Sequence, residues 1–396
     1  MDKLDIVLTN FEPIFKTHPI PQQEAIDYTA WLLAIAQCSK NNIESSEEAE
    51  KIYDKMKAEL NRYGVSPSHV AQRELNIFAD IFCHQKKAFS TEKFPLTFEN
   101  IIEDYKGKDL YNRLMLYEKL VYDLTYRWYE NTTELPDDII HATCTGYLSP
   151  SPIQKFVSNK NWGDITVTNS YQMGCYGAKP PLRMAVGFLA SSYTTLALPK
   201  KRIDVLHTEY SSLHIQAVNY LPDQIVSMTL FGDGFIKYSA CANLSTKTGL
   251  RVLAIQDKII PNTLDEMTLI PGPYSFDMWL SKNVPLKIKE QIYAFVTSMC
   301  NQIQLDFETI KDKVIFALHP GGPKILDHIQ ERLNIKDAQI RFSRQILKKH
   351  GNMVSATLPY IWKEIIEDPE ISAGTKVISI AFGPGITIAG SILEKV

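Results

Sequence analysis

AFGPGITIAGSIL, residues 381–393, is a small-residue turn with strand-like sequence on both sides: KVISIA leads in and ITIAGSIL leads out. The same design stands earlier in the chain, where LFGDG at 230–234 is preceded by IVSMTL and followed by FIKYSACA. Glycine lets a backbone turn sharply between paired strands. Two F-G-x-G turns in matched contexts therefore predict a duplicated α/β unit.

Outward from these turns, IIHATCTGYL, DITVTNSY, RVLAIQD and KVIFALHP read as further short strands. PLRMAVGFLASSY, LKIKEQIYAFVTSMCNQI and KILDHIQERLN read as helices between them, and that alternation predicts a layered α/β architecture. The first 140 residues look mainly helical, with apolar residues at three-to-four spacing in QQEAIDYTAWLLAIAQCSK, SEEAEKIYDKMKAELNRYG and LYNRLMLYEKLVYDLTYRWYEN. Ser45-Ser46-Glu47-Glu48 reads as a helix start and Gly64 as a stop. The pattern changes after Asp137 with no low-complexity linker, so two adjacent halves sharing a core, residues 1–240 and 241–396, are expected.

Composition narrows the function. The chain has 396 residues, 45% of them hydrophobic and 22% charged, which is enough for one large core or two fused ones. Its net charge of −3 gives no electrostatic footprint for nucleic acid, and Lys200-Lys201-Arg202 and Lys348-Lys349-His350 read as solvated faces. No run approaches the roughly 18 apolar residues of a membrane span, and MDKLDIVLTNFEPIFKTHPIP lacks the pattern of a signal peptide. A cytoplasmic protein without membrane insertion is expected. The six cysteines, Cys38, Cys83, Cys144, Cys175, Cys241 and Cys300, form no C-x-x-C pair and no zinc spacing with histidine, so neither a metal site nor a disulfide framework is expected.

Cys175 has unusual neighbours. SYQMGCYGAKPPLRMAVGFLASS places it after a strand and a tight turn, just ahead of a helix whose first turn must hold Pro180 and Pro181. Regular helix is expected from Ala178 or Lys179, with Cys175 on the turn leading in. A helix N-terminus lowers a thiol's pKa, so a nucleophilic cysteine and a buried structural one are both compatible with this placement. Two other polar residues occupy comparable places. His319 ends the apolar run VIFALHP before the tight turn Pro320-Gly321-Gly322-Pro323, and Asn352 follows Gly351 before the small-residue start Ser355-Ala356-Thr357. A strand-end histidine and a turn asparagine also have ordinary structural uses. Together the three describe Cys, His and Asn at strand-to-helix junctions.

GCYGA at 174–178, LFGDG at 230–234, ALHPGGPKILD at 317–327, HGNMVSA at 350–356 and AFGPGIT at 381–387 resemble the motifs of type III polyketide synthases, the chalcone synthase family of the thiolase superfamily. The resemblance covers roughly residues 137–396 and implies a thiolase-like duplicated α/β/α/β/α layered fold. It implies an acyltransferase that joins acyl thioesters by Claisen-type condensation, with Cys175 taking the acyl group. His319 and Asn352 would form an oxyanion hole for the enolate left by decarboxylation, and His319 would hold Cys175 as thiolate. It further implies a homodimer, acyl-CoA, malonyl-CoA or an acyl carrier protein as thioester partners, and no metal or redox cofactor.

Phe231 matches a family aromatic between cavity and tunnel, whereas FDMW leaves a second such aromatic ambiguous between Phe276 and Met278. Cys144 and Thr145, in CTGYLSP, and Gly383, Pro384 and Gly385 of the AFGPG turn are expected at the substrate cavity. The chain departs from the family where Lys179-Pro180-Pro181 replaces glycines after the nucleophile and where Ala381 replaces a motif glycine. GCYGA and CTGYLSPSP look closer to stand-alone ketosynthases, some of which join two carrier-bound β-ketoacyl chains into an α-pyrone. A cysteine-dependent thioester hydrolase is the alternative from another class.

Overall fold

A computed structural model describes residues 4–16, 19–78, 94–196, 198–218, 220–243 and 248–396, so Cys83 lies outside the described residues. Nine strands form one mixed sheet. In chain order the strands are β1 (Ile6–Pro13), the short pair β2 (Ile20–Pro21) and β3 (Gln72–Arg73), β4 (Asp138–Thr143), β5 (Thr166–Tyr171), β6 (Arg202–Glu209) and β7 (Gly234–Ala242). They continue with β8 (Leu250–Ile259), the hairpin β9 (Met267–Pro271) and β10 (Phe276–Leu280), then β11 (Ile315–Leu318), β12 (Lys376–Gly383) and β13 (Thr387–Lys395). The large sheet runs β11-β12-β13-β8-β1-β7-β6-β4-β5.

The sheet carries the duplication. On one side β4 pairs in parallel with β5 and β6, and β6 then pairs antiparallel with β7. On the other side β11 pairs in parallel with β12, which pairs antiparallel with β13. The seam between β1 and β8 is only two residue pairs long, Val7 with Arg251 and Leu8 with Leu250. Helices Lys179–Thr195 and Thr357–Glu367 bury Leu182, Ala185, Leu358 and Ile361 in one cluster with Val205 and Tyr238 from one side and Val377 and Leu393 from the other. They form the central layer. Leu110–Tyr129 and Gln22–Asn41 cover the opposite face of the first side, and Val284–Asn301 and Pro323–Leu333 that of the second. Sheets covered on both faces need apolar residues on both, which is why β4 and β7 are buried along their whole length.

The expected boundaries are found at the helix starting after Ser45, whose hydroxyl accepts the Glu48 N–H, and at its end on Gly64. Two expectations are corrected. IVSMTL belongs to helix Pro222–Leu230, because Pro222 fits the first helical turn and Ile225, Met228 and Thr229 share the buried face. The echo of the two F-G-x-G turns is therefore helix-turn-strand against strand-turn-strand. The N-terminal third also supplies β1, which sits between β7 and β8 near the middle of the sheet. Among the described residues no helix is long and apolar enough to cross a membrane.

The departure at Lys179 is explained by packing. Its ammonium is fully buried, donates to Ser379 Oγ and Ser391 Oγ at 2.8 Å each, and lies 5.1 Å from the centre of the Trp362 ring. It thus ties the first turn of the Cys175 helix to β12 and β13. Burial drives its pKa well below the ordinary lysine value of 10.5, so the folded protein resists a proton that the unfolded chain binds freely, and stability falls as pH drops below that value. Lys179→Met is expected to raise stability at pH 7 by about 1–4 kcal/mol, with the gain shrinking toward pH 10, as measured by urea unfolding. A less stable variant at pH 7 would mean that the two hydroxyl bonds outweigh the desolvation of the amine.

Candidate active site

Cys175 sits where expected, on the single 3-10 turn Gly174–Tyr176 between β5 and the helix that begins at Lys179. Gly174 has φ +64, and a Cβ there would stand 2.4 Å from Cδ of Pro384. A glycine is needed on both counts, and the result is that the Cys175 turn rests directly on the AFGPG turn. Gly383 closes the same contact, since a Cβ on it would meet the Tyr176 ring at 2.1 Å.

Asn352 arrives from the opposite side. Its backbone forms a parallel bridge with Phe231, giving an N–H to the Leu230 carbonyl at 2.9 Å and accepting the Gly232 N–H at 3.0 Å. Its Oδ1 accepts the Val354 N–H at 2.8 Å, so Nδ2 faces the Cys175 sulfur at 3.4 Å. Val354, at φ +50, holds a left-handed conformation that a β-branched side chain rarely adopts, and it lines the cavity. His319 follows β11, is fully buried, and is held by its N–H to the Ile380 carbonyl at 2.8 Å. Neither ring nitrogen makes a hydrogen bond of ordinary geometry among the described residues, the Asn352 carboxamide being the polar side chain that acts on the ring. Unpaired buried nitrogens are costly in a resting protein, and they are what a binding site for a polar ligand atom requires.

Desolvation governs the charges. Burial pushes the Cys175 thiol up to about 12, with Glu209 adding to the rise and the Asn352 hydrogen bond opposing it. Burial also takes His319 down to about 3, Asn352 again opposing. Both groups are thus driven to their neutral forms. The direction is opposite to the lowered thiol expected from a helix N-terminus, since Cys175 lies a turn ahead of the helix among apolar groups, half-buried at the cavity wall.

A cavity of about 110 Å³, open to solvent on one side, lies beside the sulfur. Phe231, Cys144, Thr145 and Pro384 line it as expected. Gly383 and Gly385 lie outside the lining: the first packs against Tyr176, and the second donates its N–H to the Met267 carbonyl at 2.9 Å. The ambiguity in FDMW resolves in favour of both candidates, since Phe276 and Met278 alternate along β10 and face the cavity together.

Two residues of this site were not legible. Glu209 ends β6 fully buried, accepts the Cys144 N–H at 3.0 Å and the Thr145 hydroxyl at 3.0 Å, and bonds the Ser355 hydroxyl. The one signal was a glutamate closing the mixed run IDVLHTE that precedes Tyr210. His214 lines the wall, donating from Nε2 to the Thr145 carbonyl at 2.8 Å while Nδ1 accepts the Phe276 N–H at 3.3 Å. That arrangement fixes its tautomer and ties β10 to the Cys144–Thr145 loop.

The architecture is that of the thiolase-like fold. The C-terminal type III polyketide synthase domain of Steely1 from Dictyostelium superposes with a TM-score of 0.75 over 99% of both chains, at 22% identity. Residues 251–396 match the C-terminal domain of chalcone and stilbene synthases. The chain is 29% identical over 267 residues to "Probable polyketide synthase 1" of Dictyostelium discoideum, an alignment spanning 65% of this chain and 8% of that protein. It is 26% identical over 258 residues to 1,3,6,8-tetrahydroxynaphthalene synthase of Streptomyces coelicolor, spanning 65% of this chain and 66% of the relative. These likenesses bear out the resemblance to the chalcone synthase family read from the motifs.

Glu209 gives a pH test of the site's dryness. Burial raises its carboxyl from the ordinary 4.5 to about 7. Its contribution to stability is therefore full below pH 4.5 and is lost as pH rises to about 7, by about 3 kcal/mol at roughly 1.4 kcal/mol per unit. Glu209→Gln removes this loss, so the variant should gain on the natural protein between pH 4.5 and 7.5 in urea unfolding. A constant difference across that range would show that the carboxylate is well solvated.

Proposed function

We propose that the protein is an acyltransferase of the type III polyketide synthase kind, forming carbon–carbon bonds between acyl thioesters. The observation that carries this reading is the Cys175 sulfur on the wall of a largely apolar cavity with the Asn352 carboxamide 3.4 Å from it, Asn352 and His319 themselves lying outside the lining. In the loading step the Cys175 sulfur attacks a thioester carbonyl. The thiol proton passes to His319, and the departing thiolate of the donor takes it up. A neutral pair suits this step, because the proton moves as the bond forms and no isolated ion waits in the dry pocket.

A malonyl thioester then enters the cavity. Loss of carbon dioxide leaves the bonding electron pair as an enolate, whose oxygen lies between the His319 and Asn352 N–H groups. Two preorganised donors in a desolvated site favour that charge strongly, each worth roughly a 100- to 1,000-fold rate effect. The enolate carbon attacks the acyl-cysteine carbonyl, and collapse of the tetrahedral intermediate expels the sulfur. The substrates are acyl-CoA, malonyl-CoA or carrier-protein thioesters, and the chemistry calls for no further cofactor. We take residues 1–240 as the half that supplies the nucleophile and residues 241–396 as the half that supplies His319 and Asn352. The chain is read as a cytoplasmic homodimer, for which the free outer edge of β5 offers backbone groups to a second copy.

Incubation with acyl and malonyl thioesters followed by mass spectrometry tests the reading. A longer ketide supports it, an α-pyrone built from two β-ketoacyl chains would favour the stand-alone ketosynthase, and free acid alone would indicate a hydrolase. Cys175→Ala should abolish the acyl mass shift of the intact protein, and a persisting shift would assign another nucleophile. His319→Gln and Asn352→Asp should lower decarboxylation by about 100-fold or more while loading falls less. Equal losses in both steps would contradict the division of roles.

A further inference from the structure

The Asn352 turn is held from behind by the N-terminal third. Arg73, on β3, is 1% exposed, and among the described residues its guanidinium forms no salt bridge, Asp233 acting on it only at longer range. Its Nη1 donates to the Met228 carbonyl at 2.9 Å and the Phe231 carbonyl at 2.6 Å, and its Nε donates to Gln22 Oε1 at 2.7 Å. Gln22 in turn gives its amide hydrogens to the Thr229 carbonyl at 2.7 Å and the Val65 carbonyl at 2.8 Å. The backbone on both sides of Arg73 is engaged as well: the Ala71 N–H meets the Lys348 carbonyl at 2.8 Å, and the Glu74 carbonyl accepts the Asp233 N–H at 2.8 Å. Residues 71–74 thus bind the 228–233 turn and the end of helix Arg341–His350, which leads into Asn352.

The three segments are stacked without room for side chains. A Cβ on Gly351, whose φ is +69, would stand 2.6 Å from the Leu230 carbonyl oxygen and 2.9 Å from Arg73 Cδ. A Cβ on Gly232 would stand 2.5 Å from the His350 carbonyl oxygen and 3.4 Å from Arg73 Cβ. Any shift of the Arg73 side chain is therefore passed to the Phe231–Asn352 bridge. A planar fork that never loses its charge can serve carbonyls three residues apart and a side-chain amide at once, which a point-charge amine cannot.

We propose that Arg73 is a positioning residue for condensation: from outside the cavity it sets the Phe231–Asn352 bridge and so aims the Asn352 carboxamide at Cys175. This rests on the role assigned to Asn352 above. It also gives the N-terminal third a part in the chemistry, since neither Arg73 nor Gln22 lines the cavity.

Arg73→Lys in the full chain keeps a buried cation but loses the fork. Decarboxylation of malonyl thioester, measured as carbon dioxide release, should fall by about 100-fold, as for a misplaced catalytic group, with KM for that thioester little changed and acyl loading of Cys175 within about threefold. Gln22→Ala, which removes the Nε acceptor together with the bonds from Gln22 to the Thr229 and Val65 carbonyls but leaves both Nη1 contacts of Arg73, should show the same split at smaller size and serves where Arg73→Lys fails to fold. Loading and decarboxylation falling together, or both persisting, in a folded variant would overturn the proposal. Asn352→Asp run alongside separates the two ideas. If it spares decarboxylation, the role of Asn352 fails; if it abolishes decarboxylation while Arg73→Lys does not, only the role of Arg73 fails.

Discussion

The contact between the Cys175 turn and the AFGPG turn is the constraint from which the site follows. Cys175 and Asn352 are far apart in sequence, and they meet because Gly174 lies against Pro384, Gly383 lies against Tyr176, and the Asn352 bridge closes from the other side. Each of these approaches leaves less space than one methyl group needs. Such close backbone packing is available only where a continuous core holds both sides rigidly, and the helices Lys179–Thr195 and Thr357–Glu367 provide that core by burying against strands from both. Lys179 reinforces the same junction by pinning the start of the first helix to β12 and β13.

The same packing sets the electrostatics. Desolvation around the turn shifts the half-buried Cys175 thiol, the buried His319 and the buried Glu209 toward their neutral forms. The partial charge at a helix start is too small and too distant to reverse this for Cys175. In the proposed reaction charge appears only when substrate brings it, and Asn352 and His319 are the donors proposed to meet it. That condition makes a preorganised oxyanion hole effective, because the dipoles need no reorientation as the charge develops.

Much of this was readable from the residues alone, and the exceptions share a cause. Most strands after Asp137, the turn at Cys175 and the strand-end place of His319 follow from local periodicity and from small-residue turns, whereas Asn352, expected at a strand-to-helix junction, joins helix Arg341–His350 to helix Thr357–Glu367. IVSMTL misled because its β-branched residues suit a strand as well as the buried face of a short helix, and Pro222 was the deciding residue. β1 was hidden because its partners, Ala242 and Leu250, lie more than 200 residues away. Arg73, Lys179 and Glu209 look like surface residues in the sequence, since charged side chains are rarely buried without a partner. Their partners here are carbonyls, hydroxyls and backbone amides scattered through the chain, which no local pattern reveals.

The central claim is geometric: sulfur, imidazole and carboxamide face one thioester oxygen from different parts of the chain. A crystal structure of the protein bound to a non-hydrolysable malonyl thioester analogue measures that directly. The account predicts the thioester oxygen within about 3 Å of both Asn352 Nδ2 and a ring nitrogen of His319, beside the Cys175 sulfur. An analogue bound with its oxygen directed away from either donor would contradict it.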